Sequence, residues 1–160
     1  MPMLHQNVVT AHVDADSLPW VPFTPYSDEV MLKYFKVDPV RGEVVAGFRM
    51  PVGADLAPHY HTGTVIVYNV RGSWRYLEHD WVSHPGDVIY ETAASMHKPV
   101  VVGDEDVETI TITTGELLFL DENGAIVARE NCQTSLARYE AYCRANGLEI
   151  QDLTSFEDVH

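Results

Sequence analysis

Between residues 30 and 129, short apolar stretches rich in β-branched and aromatic residues are separated by polar turns rich in glycine, proline and aspartate. That pattern suits β-strands rather than helices. Residues 30–37 form the first burst, ended by a turn at 38–42, and 43–50 the second, stopped by Pro51 and Gly53. Residues 65–70 follow and are closed by Gly72; 73–77 continue to a hairpin tip at 78–80. Shorter bursts at 88–90 and 100–102 precede the β-branched run 107–114, then 117–120 and 125–128. Short strands with regular turn punctuation predict a β-sandwich or barrel. One helix is expected near the C-terminus. Thr134 or Ser135 can cap it, Leu136, Tyr139 and Cys143 share a face, and Asn146 with Gly147 can end it. It is expected to cover an opening or an edge of the sandwich. The first 29 residues are irregular, with Pro19, Pro22 and Pro25 among Trp20, Phe23 and Tyr26, and read as an arm pinned by aromatic anchors.

The chain thus reads as one domain of 160 residues: an arm at 1–29, a β core at 30–129, and a helix and tail at 130–160. Its charge narrows the partners. Ten Lys and Arg against 24 Asp and Glu give a net charge of −14, which repels a phosphate backbone and an anionic membrane surface. Neither nucleic acid nor membrane is expected as a partner, and no apolar stretch approaches the ~20 residues that span a bilayer. Cys132 and Cys143 fall in the predicted helix about 16 Å apart at ~1.5 Å rise per residue, too far to bridge. No secretory signal is visible after Met1, and a cytoplasmic location is expected.

The chemistry concentrates in the histidines. On a strand, His59 and His61 point to the same face and Tyr60 away from it, so the two imidazoles can share a metal ion. A third ligand must come from elsewhere, and His97 is the candidate. His79 and His84 flank Asp80 and Trp81 at the hairpin and are not expected to bind metal. His5, His12 and His160 lie near the ends.

These residues and their glycine frame resemble the cupin superfamily of double-stranded β-helix, or jelly-roll, barrels. Gly53, His59, His61 and Gly72 match the first cupin motif, but Val65 or Ile66 stands in place of its glutamate. Gly86 and His97 match the second, while Thr92, Ala94 and Val101 replace its proline, glycine and asparagine. The resemblance implies an all-β cupin fold with a C-terminal helix, and metal ligands His59, His61 and His97. Without the motif glutamate, three neutral imidazoles and no carboxylate are expected, leaving a divalent ion its full charge and open positions for a chelating anion. Imidazole suits Fe, Zn, Cu and Ni, so ligand type does not select the metal.

Three-histidine cupins include Fe(II) dioxygenases that cleave acetylacetone and others that cleave 2,4'-dihydroxyacetophenone. The chain is most similar to the second group, through the run from Gly72 to Trp81 and the stretch Tyr90, Glu91, Thr92, Ala93. That resemblance implies Fe(II), an aryl hydroxymethyl ketone and O2 as reactants, and 4-hydroxybenzoate and formate as products. Glu91 is then expected to accept a hydrogen bond from a ligand imidazole or to take the substrate proton. Arg75 is a candidate to balance the enolate or pair with Glu91, the alternative being a solvated strand arginine. Tyr68, Trp74 and Tyr76 are candidates for an aromatic pocket, and Val65 and Val67 share the parity of His61 and should face the cavity. Cupins commonly pair sheets, so a homo-oligomer, dimer or tetramer, is expected. Alternative readings are a zinc-bound sensor or interaction domain, a diketone-cleaving dioxygenase, and an isomerase or hydrolase that works without O2.

Overall fold

The computed structural model describes residues 12–154. The expectations for His5 and His160, and for the outermost arm and tail, lie outside the described residues. After a 3-10 turn (Ala15–Ser17), twelve strands and one α-helix follow in order: β1 (Val21–Pro22), β2 (Met31–Asp38), β3 (Glu43–Met50), β4 (His59–His61), β5 (Val65–Arg71), β6 (Ser73–Tyr76), β7 (Val88–Glu91), β8 (Met96–His97), β9 (Pro99–Val102), β10 (Val107–Thr114), β11 (Leu117–Leu120), β12 (Ile126–Glu130) and α1 (Cys132–Asn146). They build a six-stranded sheet in the order β1-β2-β3-β10-β5-β7, a four-stranded sheet β12-β11-β4-β8, and the pair β6-β9. Short neighbouring strands with alternating burial close around one apolar interior. In β5, Val65 and Val67 are buried while Ile66, Tyr68 and Val70 face out. The strand β8 was not expected from the pattern, because two residues are too few to show a period.

Gly72 shows why the turns sit where they do. Its φ is +73°, and a Cβ there would stand 2.6 Å from the carbonyl oxygen of Asp106. Only glycine permits both the left-handed backbone and that approach.

The arm is pinned by its aromatic residues. Phe23 is buried, Tyr26 stacks on Phe119 at 4.0 Å between ring centres, and the Arg49 guanidinium lies 4.0 Å from the centre of the Trp20 ring. Helix α1 packs against β1, β2, β3 and β12. Its buried face carries Tyr139 and Cys143. The cap is Asn131, not Thr134 or Ser135: the Asn131 side chain accepts from the N–H groups of Gln133 and Thr134, and Thr134 is the reciprocal partner of a capping box. One turn in, Arg138 grips Glu130 with two hydrogen bonds of 2.6 Å, and both residues are largely buried. Both cysteines are free and buried. No helix among the described residues is long and apolar enough to cross a membrane.

Candidate metal centre

β4 is three residues long, and its extended backbone turns His59 and His61 inward. It lies between β11 and β8, so that Phe119, His59 and His97 occupy one row across three strands. Register, rather than sequence spacing, brings His97 to the pair. The turn before β8 is tied to the same strand: Ala94 donates to the His61 carbonyl at 2.8 Å, and His61 donates to the Ser95 carbonyl at 2.9 Å.

The three side chains converge. Nε2 of His61 and Nε2 of His97 are 2.9 Å apart, and the nearest ring nitrogens of all three histidines lie within 4.8 Å of one another. All three are buried. His59 Nδ1 is 3.0 Å from the Ala57 carbonyl, so Nδ1 carries the proton and donates, leaving the Nε2 lone pair free. This donor set fits a metal ion. Two nitrogens bound at about 2.1 Å and at right angles across one ion stand about 3.0 Å apart, close to the spacing of His61 and His97.

The expectation of a carboxylate-free cluster does not hold. Oε2 of Glu91 lies 3.2 Å from the Nε2 atoms of both His61 and His97. Glu91 ends β7, and its cross-strand partner on β5 is Val65. Paired residues on adjacent strands face the same side. The carboxylate missing from position 65 is therefore supplied at the same place from the neighbouring strand. Tyr76 donates its hydroxyl to Oε1 of Glu91 and stacks its ring on His97, 3.7 Å between centres and 15° between planes.

Burial sets the charges. It pushes the His61 imidazole down to about 3 and also lowers His59, so both rings are neutral and their lone pairs available. Burial raises Glu91 too, but hydrogen bonds from His97 and Tyr76 and the nearby His61 outweigh it, and the carboxyl is held below its usual range. Tyr76 is pushed well above the usual phenol range by burial and by the Glu91 charge, and stays protonated.

Two spaces reach this cluster. An interior cavity of about 130 Å³ is lined by His59 and His61 and by apolar side chains including Leu56, Phe48, Val65 and Val67. A larger cleft of about 590 Å³ reaches His97 and is rimmed by His79, Trp81 and Tyr90. Tyr76 and Glu91 line both.

Other candidates fall elsewhere. Arg75 is not in the cluster: alternation along β6 buries Trp74 and Tyr76 and turns Arg75 away, where it donates to the His79 carbonyl at 3.3 Å. Tyr68 points outward from β5 and is 48% exposed, so it lines no pocket here. Val65, Val67, Trp74 and Tyr76 do line the cavity. His79 stacks on Trp81, His84 pairs with the Ser73 hydroxyl, and His12 is exposed. Phe119 was missed by the sequence reading. It lies against His59 at 5.5 Å between ring centres, and Tyr26 of the arm stacks behind it.

A family model described as the ChrR cupin-like domain matches residues 8–118. The chain belongs to that family of cupins. Among solved structures, this cupin is similar to an RmlC-like cupin protein from Ralstonia eutropha, at 50% identity over 97% of this chain and all of the other, with a TM-score of 0.91. It also shares its fold with the acetylacetone dioxygenase from Acinetobacter johnsonii, at 18% identity over 88% of this chain and 97% of that one, with a TM-score of 0.76. A more remote likeness is to the anti-sigma ChrR of Rhodobacter sphaeroides in complex with SigE. There the identity is 17%, coverage 59% of this chain and 47% of that one, and the TM-score 0.50. No curated protein matches the chain.

Proposed function

We propose that this cupin is a mononuclear non-haem iron dioxygenase that cleaves the bond between the carbonyl and hydroxymethyl carbons of an aryl ketone. The reading takes 2,4'-dihydroxyacetophenone and O2 to 4-hydroxybenzoate and formate. The observation that carries it is a buried three-histidine cluster with one carboxylate, opening on an apolar cavity of single-ring size. A dry cavity of about 150 Å³ is known to take benzene, and the interior space here is about 130 Å³.

His59, His61 and His97 would hold the metal, and Glu91 stands where it can join them or act beside them. Ferrous iron, when bound there, would supply coordination positions for both reactants and a path for the substrate's electrons to dioxygen. The protein's own groups do the rest. Glu91, ionised by its hydrogen bonds, accepts the proton of the substrate hydroxyl at Oε2, which lies 3.2 Å from the Nε2 atoms of His61 and His97. Tyr76 holds the other carboxylate oxygen and fixes its orientation. Val65, Val67 and Leu56 exclude water from the ring's side of the cavity.

The test is anaerobic loading with Fe(II), followed by O2 uptake with 2,4'-dihydroxyacetophenone and mass identification of products. One O2 consumed per 4-hydroxybenzoate and formate, lost in His97→Ala, supports the reading. Uptake with acetylacetone alone would favour the diketone reading. The family match favours a second reading, a metal-bound sensor or interaction domain. That reading predicts a tightly held zinc ion and no O2 uptake with any ketone.

A further inference from the structure

Besides His61 Nδ1 and Glu91 Oε2 at the histidine cluster, the apolar cavity has two polar flaws. The indole nitrogen of Trp74 and the hydroxyl of Thr109 are both buried and lack a hydrogen-bond partner among the described residues, and both residues line the cavity that His59 and His61 line. An indole N–H can only donate, and burying it unmatched in an apolar wall is unfavourable. The nearby polar groups are partly engaged, although Asn69 Oδ1 is also buried and has no partner among the described residues. Asn69, the cross-strand partner of Thr109, spends its amide N–H groups on the Gly72 carbonyl and Ser83 Oγ, and the backbone of Ser83 is bonded to that of Trp74.

The spacing suits an elongated ligand. Trp74 and Tyr76 share one face of β6, and Tyr76 touches both Glu91 and His97. The Trp74 and Tyr76 ring centres are 5.0 Å apart. That distance is comparable to the span from a ketone carbon across one benzene ring to a para oxygen.

We propose that Trp74 is the specificity-determining residue for the far end of the substrate. Its indole N–H donates to an oxygen substituent on the aryl ring, para to the ketone, and the Thr109 hydroxyl gives that end of the cavity a second polar contact. The proposal rests on the aryl-ketone reading above but adds what that reading leaves open, a requirement for a ring hydroxyl.

Binding tests it apart from turnover. The full-length protein as isolated is titrated, without O2, with 4-hydroxyacetophenone and with acetophenone. Wild type is expected to prefer the hydroxylated ligand about tenfold, the worth of one neutral hydrogen bond. Trp74→Phe keeps an aromatic ring and should erase the preference. Equal affinities in wild type, or a preference that survives in Trp74→Phe, would overturn the proposal. The three tryptophan N–H resonances give the same answer in wild type, assigned through Trp20→Phe and Trp81→Phe. The Trp74 resonance should move with 4-hydroxyacetophenone and stay with acetophenone; if it ignores both, the proposal falls. A ring-hydroxyl preference without ketone cleavage would uphold Trp74 and sink the dioxygenase reading. Cleavage without the preference would do the reverse.

Discussion

Ala94 is the one non-glycine residue with a positive φ among the described residues, at 65°. It occupies the place where the second cupin motif has glycine, on the turn between Glu91 and His97, and its N–H holds the His61 carbonyl. A Cβ in the left-handed region costs about 1–2 kcal/mol. Ala94 is exposed, so its methyl group returns little packing. Ala94→Gly removes the strain, while the freer unfolded chain takes back about 0.4–1 kcal/mol. The net gain is about 0–1.6 kcal/mol, centred near 0.8, or a rise in Tm of about 2–3 °C at that centre for a domain of this size. Ala94→Val should do the opposite, since a β-branched side chain tolerates this conformation worse. Thermal unfolding of both variants by circular dichroism measures this directly. A glycine variant that melts lower than wild type, with a valine variant that melts the same, would refute the reasoning.

Arg138→Leu should destabilise the fold by about 3–5 kcal/mol, because Glu130 is left charged, buried and without its cation. Urea unfolding measures the loss, and Glu130→Met in the same chain should recover much of it. Glu116 is held below its usual range first by the Asn131 amide and then by Arg129, so its contribution to stability is full above the unfolded carboxylate pKa and is lost as pH falls through the lower folded value. Glu116→Gln should therefore flatten the acid limb of stability against pH below about pH 5 and weaken the helix cap it supports. Arg75→Ala should leave metal content by elemental analysis unchanged, since its side chain faces away from the cluster.

The strands β2, β3 and β10 were legible almost residue by residue, because each is an eight-residue stretch rich in apolar and β-branched residues and bounded by turn residues. The histidine trio was legible from parity and motif spacing. Parity also places Tyr68, out of phase with Val65 and Val67, and Arg75, out of phase with Trp74 and Tyr76, on the outer face. The carboxylate was harder to see in its place. That Glu91 pairs with Val65 depends on the register of β5 against β7, which no local pattern encodes. The cap at Asn131 was missed because Thr134 and Ser135 satisfy the same preference, and only the reciprocal hydrogen bonds decide between them.

The most direct test of the central claim is to run the iron-loaded protein with 2,4'-dihydroxyacetophenone under isotopically heavy dioxygen and weigh both products. The dioxygenase account predicts one heavy oxygen atom in 4-hydroxybenzoate and one in formate. Unlabelled products would mean water-driven cleavage, and no products from protein that carries one iron would contradict the account outright.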